Sequence, residues 1–493
     1  MFMYIINIDM ADSEMARVPD FIKLKTIPVS YEMNVETDVL EPVVQREATD
    51  TGVGHCRFEL QRKGFLHSQS KLFVGVKSSG VAADVDATYP MNIGVGSLVQ
   101  RAVLKCGNQV LNEISDWQFL HMVKSSLISN ETKLERELYT SGRCMAKQFR
   151  YGPADGLFGS SGQMLDNGSD LQSDGANAER VLQAPVWARL GTAAEDSAPV
   201  YSIEISDLFP FLKTHSLPLY LIDQPMTIEL FWAPTLNDRI FNGNNGAAGT
   251  GTAAYLIDRN QLSFVADYIF YNNQEMELYR EQNPSIEFVF PDYRLSKLVA
   301  SSGDLATGVI RNLGMSNRLV SRVLTMVTEE GTTAATQLAK SRDSVVCKYT
   351  ADAPAQDGNG IVGGFRLNYR YNDRFEFPTD IVNYARAFSH FTQSESLPFV
   401  GRRDYSNQGG LSINAVVTAN GANQSTSING KSLYLGTRLT SGRVGTRGIE
   451  LHLTLGTTTP LPANANHQYV VRNFCEYMRV AKLSEGGFQI FNA

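Results

Sequence analysis

Two stretches half a chain apart follow one plan, and that repeat constrains the fold more than any other feature. Residues 101–126 (R-A-V-L-K-C-G-N-Q-V-L-N-E-I-S-D-W-Q-F-L-H-M-V-K-S-S) read as a strand, a tight turn at Gly107-Asn108, a second strand and a helix. Ser115 with Gln118 three residues later has the spacing of a capping box and predicts the helix start. Residues 365–390 (F-R-L-N-Y-R-Y-N-D-R-F-E-F-P-T-D-I-V-N-Y-A-R-A-F-S-H) repeat the plan. There Phe365, Leu367, Tyr369 and Tyr371 alternate with Arg366, Asn368 and Arg370, the period of a half-buried strand. A turn at Asn372-Asp373 leads to Phe375 and Phe377, expected on one face. A helix is then expected to open at Thr379-Asp380, with Ile381, Tyr384, Ala385 and Phe388 at helical spacing.

Further pairs keep the same order. Residues 70–76 (S-K-L-F-V-G-V) answer 321–327 (S-R-V-L-T-M-V), and 227–230 (T-I-E-L) answer 448–451 (G-I-E-L). Residues 264–268 answer 469–474, and Asp116 answers Asp380. The offset between partners drops by 43 across residues 152–199 and by roughly 15 across residues 242–254, as expected for loops inserted only in the first half. A duplicated domain with unequal loops explains this; a short-period solenoid or propeller does not.

Many short alternating runs, few helical ones and long polar loops make each half an all-β sandwich. One example is 217–232 (L-P-L-Y-L-I-D-Q-P-M-T-I-E-L-F-W), which places Met226, Ile228, Leu230 and Trp232 on one face. Residues 152–199 form a long excursion rich in Gly, Ser, Asp, Asn and Ala. Residues 242–254 use only Asn, Gly, Ala and Thr and read as an exposed hairpin tip. A short helical link over Glu275 to Glu281, ahead of Pro284, marks the boundary between the halves. The charged run 128–139 (I-S-N-E-T-K-L-E-R-E-L-Y) reads as a solvated or subunit-facing surface. The helix after Ser115 is apolar on several sides through Trp117, Phe119, Leu120, Met122 and Val123. It asks for cover on several sides, which a neighbouring chain could supply.

The chemistry is defined mainly by what is missing. A net charge of −7 argues against packaging nucleic acid through a basic surface. The five cysteines (Cys56, Cys106, Cys144, Cys347, Cys475) are scattered, without a C-x-x-C pair, and read as free thiols packed in a core. The seven histidines show no metal-ligand spacing; His55 and Cys56 are adjacent, so on a strand they point apart. Asn429-Gly430-Lys431-Ser432 ends like a phosphate loop but lacks its first glycine, and no nucleophile elbow is present. No catalytic, cofactor-binding or metal residue is therefore assigned. No run reaches the length of a membrane span, and the first nine residues are too short for a secretory signal, with Met10 offering a second start.

The ordered motifs resemble those of the double jelly-roll major capsid proteins of polinton-like viruses and virophages, and more distantly of large eukaryotic DNA viruses. The resemblance is carried by R-V-P-D-F-I-K-L-K (17–25), E-T-D-V-L-E-P-V (36–43), K-G-F-L-H-S-Q-S-K-L (63–72), K-S-S-L-I-S-N-E-T-K-L-E-R-E (124–137) and T-S-G-R (140–143). It continues with L-P-L-Y-L-I-D-Q-P-M-T-I-E-L (217–230), A-D-Y-I-F-Y-N-N-Q-E-M (266–276) and N-Y-A-R-A-F-S-H-F-T-Q-S-E (383–395). The resemblance implies two tandem eight-stranded jelly-roll sandwiches with short helices and long loops. The corresponding division is an arm over 1–27, a first jelly roll over 28–275, a linker over 276–284 and a second jelly roll over 285–493. It further implies homotrimeric pseudo-hexagonal capsomers in an icosahedral shell around double-stranded DNA, without catalysis or cofactors. The implied partners are neighbouring capsomers, penton and minor capsid proteins, with no sequence-specific nucleic-acid binding, and the location is the virion, assembled inside a host cell. The competing reading is a tandem β-sandwich that binds or cleaves carbohydrate, which would need aromatics gathered in a groove. Trp117, Trp187 and Trp232 are scattered, and the first and last suit a core.

Overall fold

A computed structural model describes residues 34–46, 54–78, 87–88, 94–127, 136–137, 140–142, 149–150, 163–164, 200–213, 216–233, 241–242, 255–331, 365–381, 386, 389–390, 412–414, 427–429, 434–439, 443–455, 467–484 and 487–492. The first half contributes eight principal strands: β1 (Asn34–Leu40), β2 (His55–Leu60), β3 (Lys71–Val74), β4 (Val99–Cys106), β5 (Gln109–Ser115), β6 (Tyr201–Glu204), β7 (Met226–Trp232) and β8 (Ser263–Phe270). The second contributes β9 (Ser285–Ala300), β10 (Val309–Gly314), β11 (Val320–Gly331), β12 (Phe365–Tyr371), β13 (Arg374–Phe375), β14 (Tyr434–Arg438), β15 (Ile449–Leu455) and β16 (His467–Ser484).

Pairing decides the topology. In the first half one sheet runs β1-β8-β3-β6 and the other β2-β7-β4-β5. In the second half the sheets run β9-β16-β11-β14 and β10-β15-β12-β13, the same permutation of strands. Two antiparallel sheets in which the first strand pairs the last and the second pairs the seventh make a jelly roll, so the chain is two jelly rolls in tandem. Three of the pairs matched in the sequence fall on topologically equivalent strands: 70–76 with 321–327 on β3 and β11, 227–230 with 448–451 on β7 and β15, and 264–268 with 469–474 on β8 and β16.

Alternation explains which face each strand buries. Met226, Ile228, Leu230 and Trp232 of β7 are buried while Thr227, Glu229 and Phe231 are not, and β7 lies between β2 and β4. They join Phe58, Leu72, Leu104, Phe264 and Trp117 in the first core. The second core gathers Val323, Leu367, Tyr369, Tyr371, Ile449 and Val471. Inside it the Tyr369 and Thr325 hydroxyls are 2.7 Å apart, and Thr325 donates to Asn473 at 2.7 Å. Buried hydroxyls and amides are satisfied there by each other.

The two matching hairpins close differently. Gly107 has φ 57° while Asn108 keeps an ordinary φ, whereas Asn372 and Asp373 are both left-handed at 52° and 60°. A two-residue loop that continues the strand twist needs positive φ at one or both central positions, which Gly, Asn and Asp adopt most readily.

Helix α1 (Trp117–Leu127) follows β5 as expected, but not through a capping box. Ser115 ends β5 opposite Arg101, Asp116 turns the chain at φ 50°, and the Gln118 amide donates to Gln100 at 3.3 Å. In the second copy the helix does not open at Thr379-Asp380. Ile381 instead pairs with Leu367, exchanging two backbone hydrogen bonds, and helical residues are described at 386 and 389–390. Phe375 and Phe377 also part company, the first 49% exposed and the second in the core, because β13 ends at Phe375. Tyr384, Ala385 and Phe388 lie outside the described residues.

Helix α2 (Asn273–Gln282) occupies the expected link, opened by the Asn272 side chain accepting from the Gln274 N–H. Helix α3 (Ser302–Thr307) carries a capping box between Ser301 and Asp304. The N-terminal arm, the excursion over 152–199 (apart from 163–164), the tip over 243–254 and most of the run 128–139 lie outside the described residues.

Candidate functional site

His55 and Cys56, weighed in the sequence as a metal pair, lie on opposite faces of β2. Cys56 is fully buried, and burial pushes its thiol pKa up. His55 points the other way and packs on Phe231 with ring centroids 4.8 Å apart. Asn429 ends a short strand paired with residues 412–414. Among the described residues, no group of three or more His, Cys, Asp or Glu could hold a metal, and no helix is long and apolar enough to cross a membrane. A polar cleft of about 390 Å³ beside α1 is lined by two ion pairs, Arg136–Glu204 at 2.6 Å and Lys213–Asp207 at 3.0 Å.

The feature that stands apart is the seam between the two jelly rolls. The β9-β16-β11 sheet has two apolar faces: one packs into its own sandwich through Val323, Val471 and Cys475, and the other presents Phe290, Leu324, Met326 and Phe474. That second face is covered by the first jelly roll, and its residues merge with the first core. The covering elements are β5, α1 and the helical segment Pro210–Lys213, whose Phe211 lies 5.1 Å from Phe290. Helix α1 thus buries Trp117, Phe119, Leu120, Met122 and Val123 to 1% or less within one chain. Its extra cover comes from the second jelly roll of the same chain, correcting the expectation that a neighbour could supply it.

Three buried ionic clusters stitch this seam. In the first, Arg472 Nε donates to Asp116 Oδ2 at 2.8 Å while its guanidinium lies 4.0 Å from the Phe119 ring centroid. Desolvation strengthens such cation–π contacts. In the second, Glu476 receives Lys124 at 3.4 Å, Arg322 at 2.8 Å, the Ser321 hydroxyl at 2.7 Å and the Tyr293 hydroxyl. Burial alone would raise its pKa, but the two cations and two hydroxyls outweigh it and hold the carboxyl down at about 2. In the third, Asn112 donates to Asp292 at 2.9 Å, joined by Tyr477 and Arg479, each at 2.8 Å. Here burial prevails over these donors, and the Asp292 pKa is raised.

These carboxylates are closed off by their own partners, which makes the seam a buried joint between the two jelly rolls. Sequence reading missed Arg472, Glu476 and Asp292. A signal existed in 470–477 (V-V-R-N-F-C-E-Y), where large apolar residues occupy both strand faces and charges recur at an even spacing. A strand apolar on both faces is covered on both.

No family model and no curated protein sequence matches the chain. Solved structures do. The mavirus major capsid protein matches at TM-score 0.56 and 12% identity, covering 95% of this chain and 93% of that one. The Sputnik virophage structure matches at 0.55 and 10%, covering 94% and 90%. The capsid structure of the virus PBCV-1 matches at 0.50 and 13%, covering 95% and 98%. At these identities the likeness is one of fold: both jelly rolls and their tandem order are shared along nearly the whole chain.

Proposed function

We propose that this chain is a major capsid protein whose homotrimers form pseudo-hexagonal capsomers that tile an icosahedral shell around a double-stranded DNA genome. The observation that carries the proposal is the pair of jelly rolls with one strand permutation, locked by a solvent-excluded seam. Two like domains per chain give three chains a near-sixfold outline, which suits close packing on a shell. The likeness to capsid structures over at least 94% of this chain supports the same reading. In this reading the protein resides in the virion, after synthesis and assembly inside a host cell. It contacts neighbouring capsomers, penton and minor capsid proteins, and works without catalysis or sequence-specific DNA binding. The domain division follows as an arm over 1–27, jelly rolls over 28–275 and 285–493, and a linker over 276–284. Electron microscopy of purified assemblies tests the proposal: closed icosahedral particles with hexagonal capsomers are expected. A well-folded monomer at micromolar concentration that binds or cleaves a glycan would overturn it.

A further inference from the structure

The strands that form the seam also carry an open apolar face. Beyond the second sandwich, β9 and β16 run on past the start of β11 and are joined by a final strand, β17 (Gly487–Asn492). One face of this extension packs into the first core through Phe290, Ala481, Leu483 and Phe488. Alternation turns the residues between them the other way. The register sets Val289, Val480 and Phe491 in one cross-strand row, with Pro291 and Met478 in the next. The Met478 N–H donates to the Leu319 carbonyl at 2.9 Å, which brings Leu319 alongside. Val289 is 54% exposed, Phe491 52% and Leu319 37%. A contiguous apolar face of this kind marks a contact site. Its border is basic. Leu319 bridges to Arg443, and the Val444 N–H donates to the Arg318 carbonyl at 3.0 Å, so Arg318, Arg443 and Arg447 share one cluster of turns. Arg447 pairs with Asp373 and Arg318 lies over the Tyr477 ring, but among the described residues no carboxylate pairs with Arg443.

We infer that this face seats the chain's own residues 2–14, with Phe2 to Ile8 on the apolar rows and Asp9, Asp12 and Glu14 towards the Arg443 turns. Composition supports the pairing. The run F-M-Y-I-I-N-I is apolar enough to need cover, and three acids follow it before the first basic side chain, Arg17. An apolar run followed by acids complements apolar rows bordered by arginines. Reach supports it too. From Asn34, the way to Val289 crosses one strand pairing, to Phe270, and then follows α2, about 15 Å long, into β9. The residues between Ile8 and Asn34 span roughly 80 Å when extended, well over that path. The loops over 332–364 and 456–466 are worse placed, because they leave from the far ends of β11 and β15. The inference stands apart from the capsomer proposal and does not depend on it.

The test uses the full-length protein with Ile6→Cys and Phe491→Cys in one chain; the native Cys56, Cys106 and Cys475 are buried. Mild oxidation should join positions 6 and 491 within a single chain, read as a linked peptide by mass spectrometry and as single-chain mass on a non-reducing gel. Adding Asp9→Lys, Asp12→Lys and Glu14→Lys should slow the link several-fold, and salt should narrow that difference. As a second measurement, a chain starting at Met10 lacks the apolar run and should raise the emission of the apolar dye ANS several-fold over the full-length protein. Val289→Asp with Phe491→Asp in the shortened chain should cancel the rise, since both positions lie on the open face. If the shortened chain fails to fold, the disulfide in the full-length chain still decides. No link between the two positions overturns the inference, and a link between two chains gives the face to a second copy and overturns it as well. So does dye emission that is unchanged by the shortening, or that the two aspartates leave high.

Discussion

At the scale of single residues, Glu476 and Asp292 are two carboxylates in one seam that burial treats alike and neighbours treat differently. Glu476 is held at about 2, below its ordinary 4.5, by Lys124, Arg322 and two hydroxyls acting against desolvation. A folded-state pKa below the unfolded one adds stability that is complete above pH 4.5 and is lost as pH falls towards 2. The shift corresponds to on the order of 3 kcal/mol. Glu476→Gln should therefore be clearly destabilised at pH 7, and the gap to wild type should close as pH falls from 4.5 to 2. Urea unfolding across that window measures it; a gap independent of pH would show that Glu476 is not the titrating group. Asp292 has the opposite sign: its raised pKa adds stability present below pH 3.8 and lost as pH rises through the folded value. Asp292→Asn should accordingly cost less than Glu476→Gln at pH 7 in the same assay.

At the scale of elements, α1 is held at its start by Asp116 and along its side by the second jelly roll. Arg472→Met would keep much of the packing on Phe119 but leave Asp116 as a buried carboxylate without its guanidinium. Breaking one half of a buried pair costs about 3–5 kcal/mol. The expected result is a loss of that size in unfolding free energy, with faster amide exchange over α1 than over β7. Uniform protection in the variant would show that α1 is held by apolar packing alone. The β12-β13 hairpin makes a smaller, opposite prediction. Asp373 is left-handed at φ 60° and pairs with Arg447, but both side chains are well exposed. An exposed ion pair contributes about 0–1 kcal/mol, while glycine removes a left-handed penalty of about 1–2 kcal/mol that Asp only partly escapes. Asp373→Gly should be neutral or stabilising by about 0.5 kcal/mol, read as a small rise in melting midpoint. A loss above about 1 kcal/mol would show that the ion pair outweighs the backbone.

At the scale of the whole molecule, the buried seam makes each chain one unit, so assembly concerns rigid tandem pairs rather than loose single domains. Under the capsomer proposal the contacts between such units are obligate and bury upwards of about 2,000 Å², so light scattering should find a stable species at three chains and little free monomer. The glycine- and asparagine-rich tract over 242–254 belongs to this scale too, because its composition suits an outward loop. If the chain builds the proposed shell, a short tag inserted at Gly246 should leave particles intact and be bound by antibody on their surface. A tag hidden in closed shells would place the tract elsewhere.

The repeat, the all-β class and the matched strand pairs were determined by the sequence alone, because alternation of apolar residues is a local property that each strand carries by itself. The turns were legible for the same reason: Gly107, Asn372 and Asp373 are residue types that accept left-handed backbone. The start of α1 was misread because Asp116, not Ser115, turns the chain, and the second helix was misread because Ile381 found a strand partner in Leu367. The seam was decided only by the tertiary structure. Arg472 lies 356 positions from Asp116 and Glu476 lies 352 from Lys124. A charge in an apolar strand reads from sequence as a solvated edge. It becomes a buried joint only when another domain, placed by the fold, removes the water and supplies the countercharge.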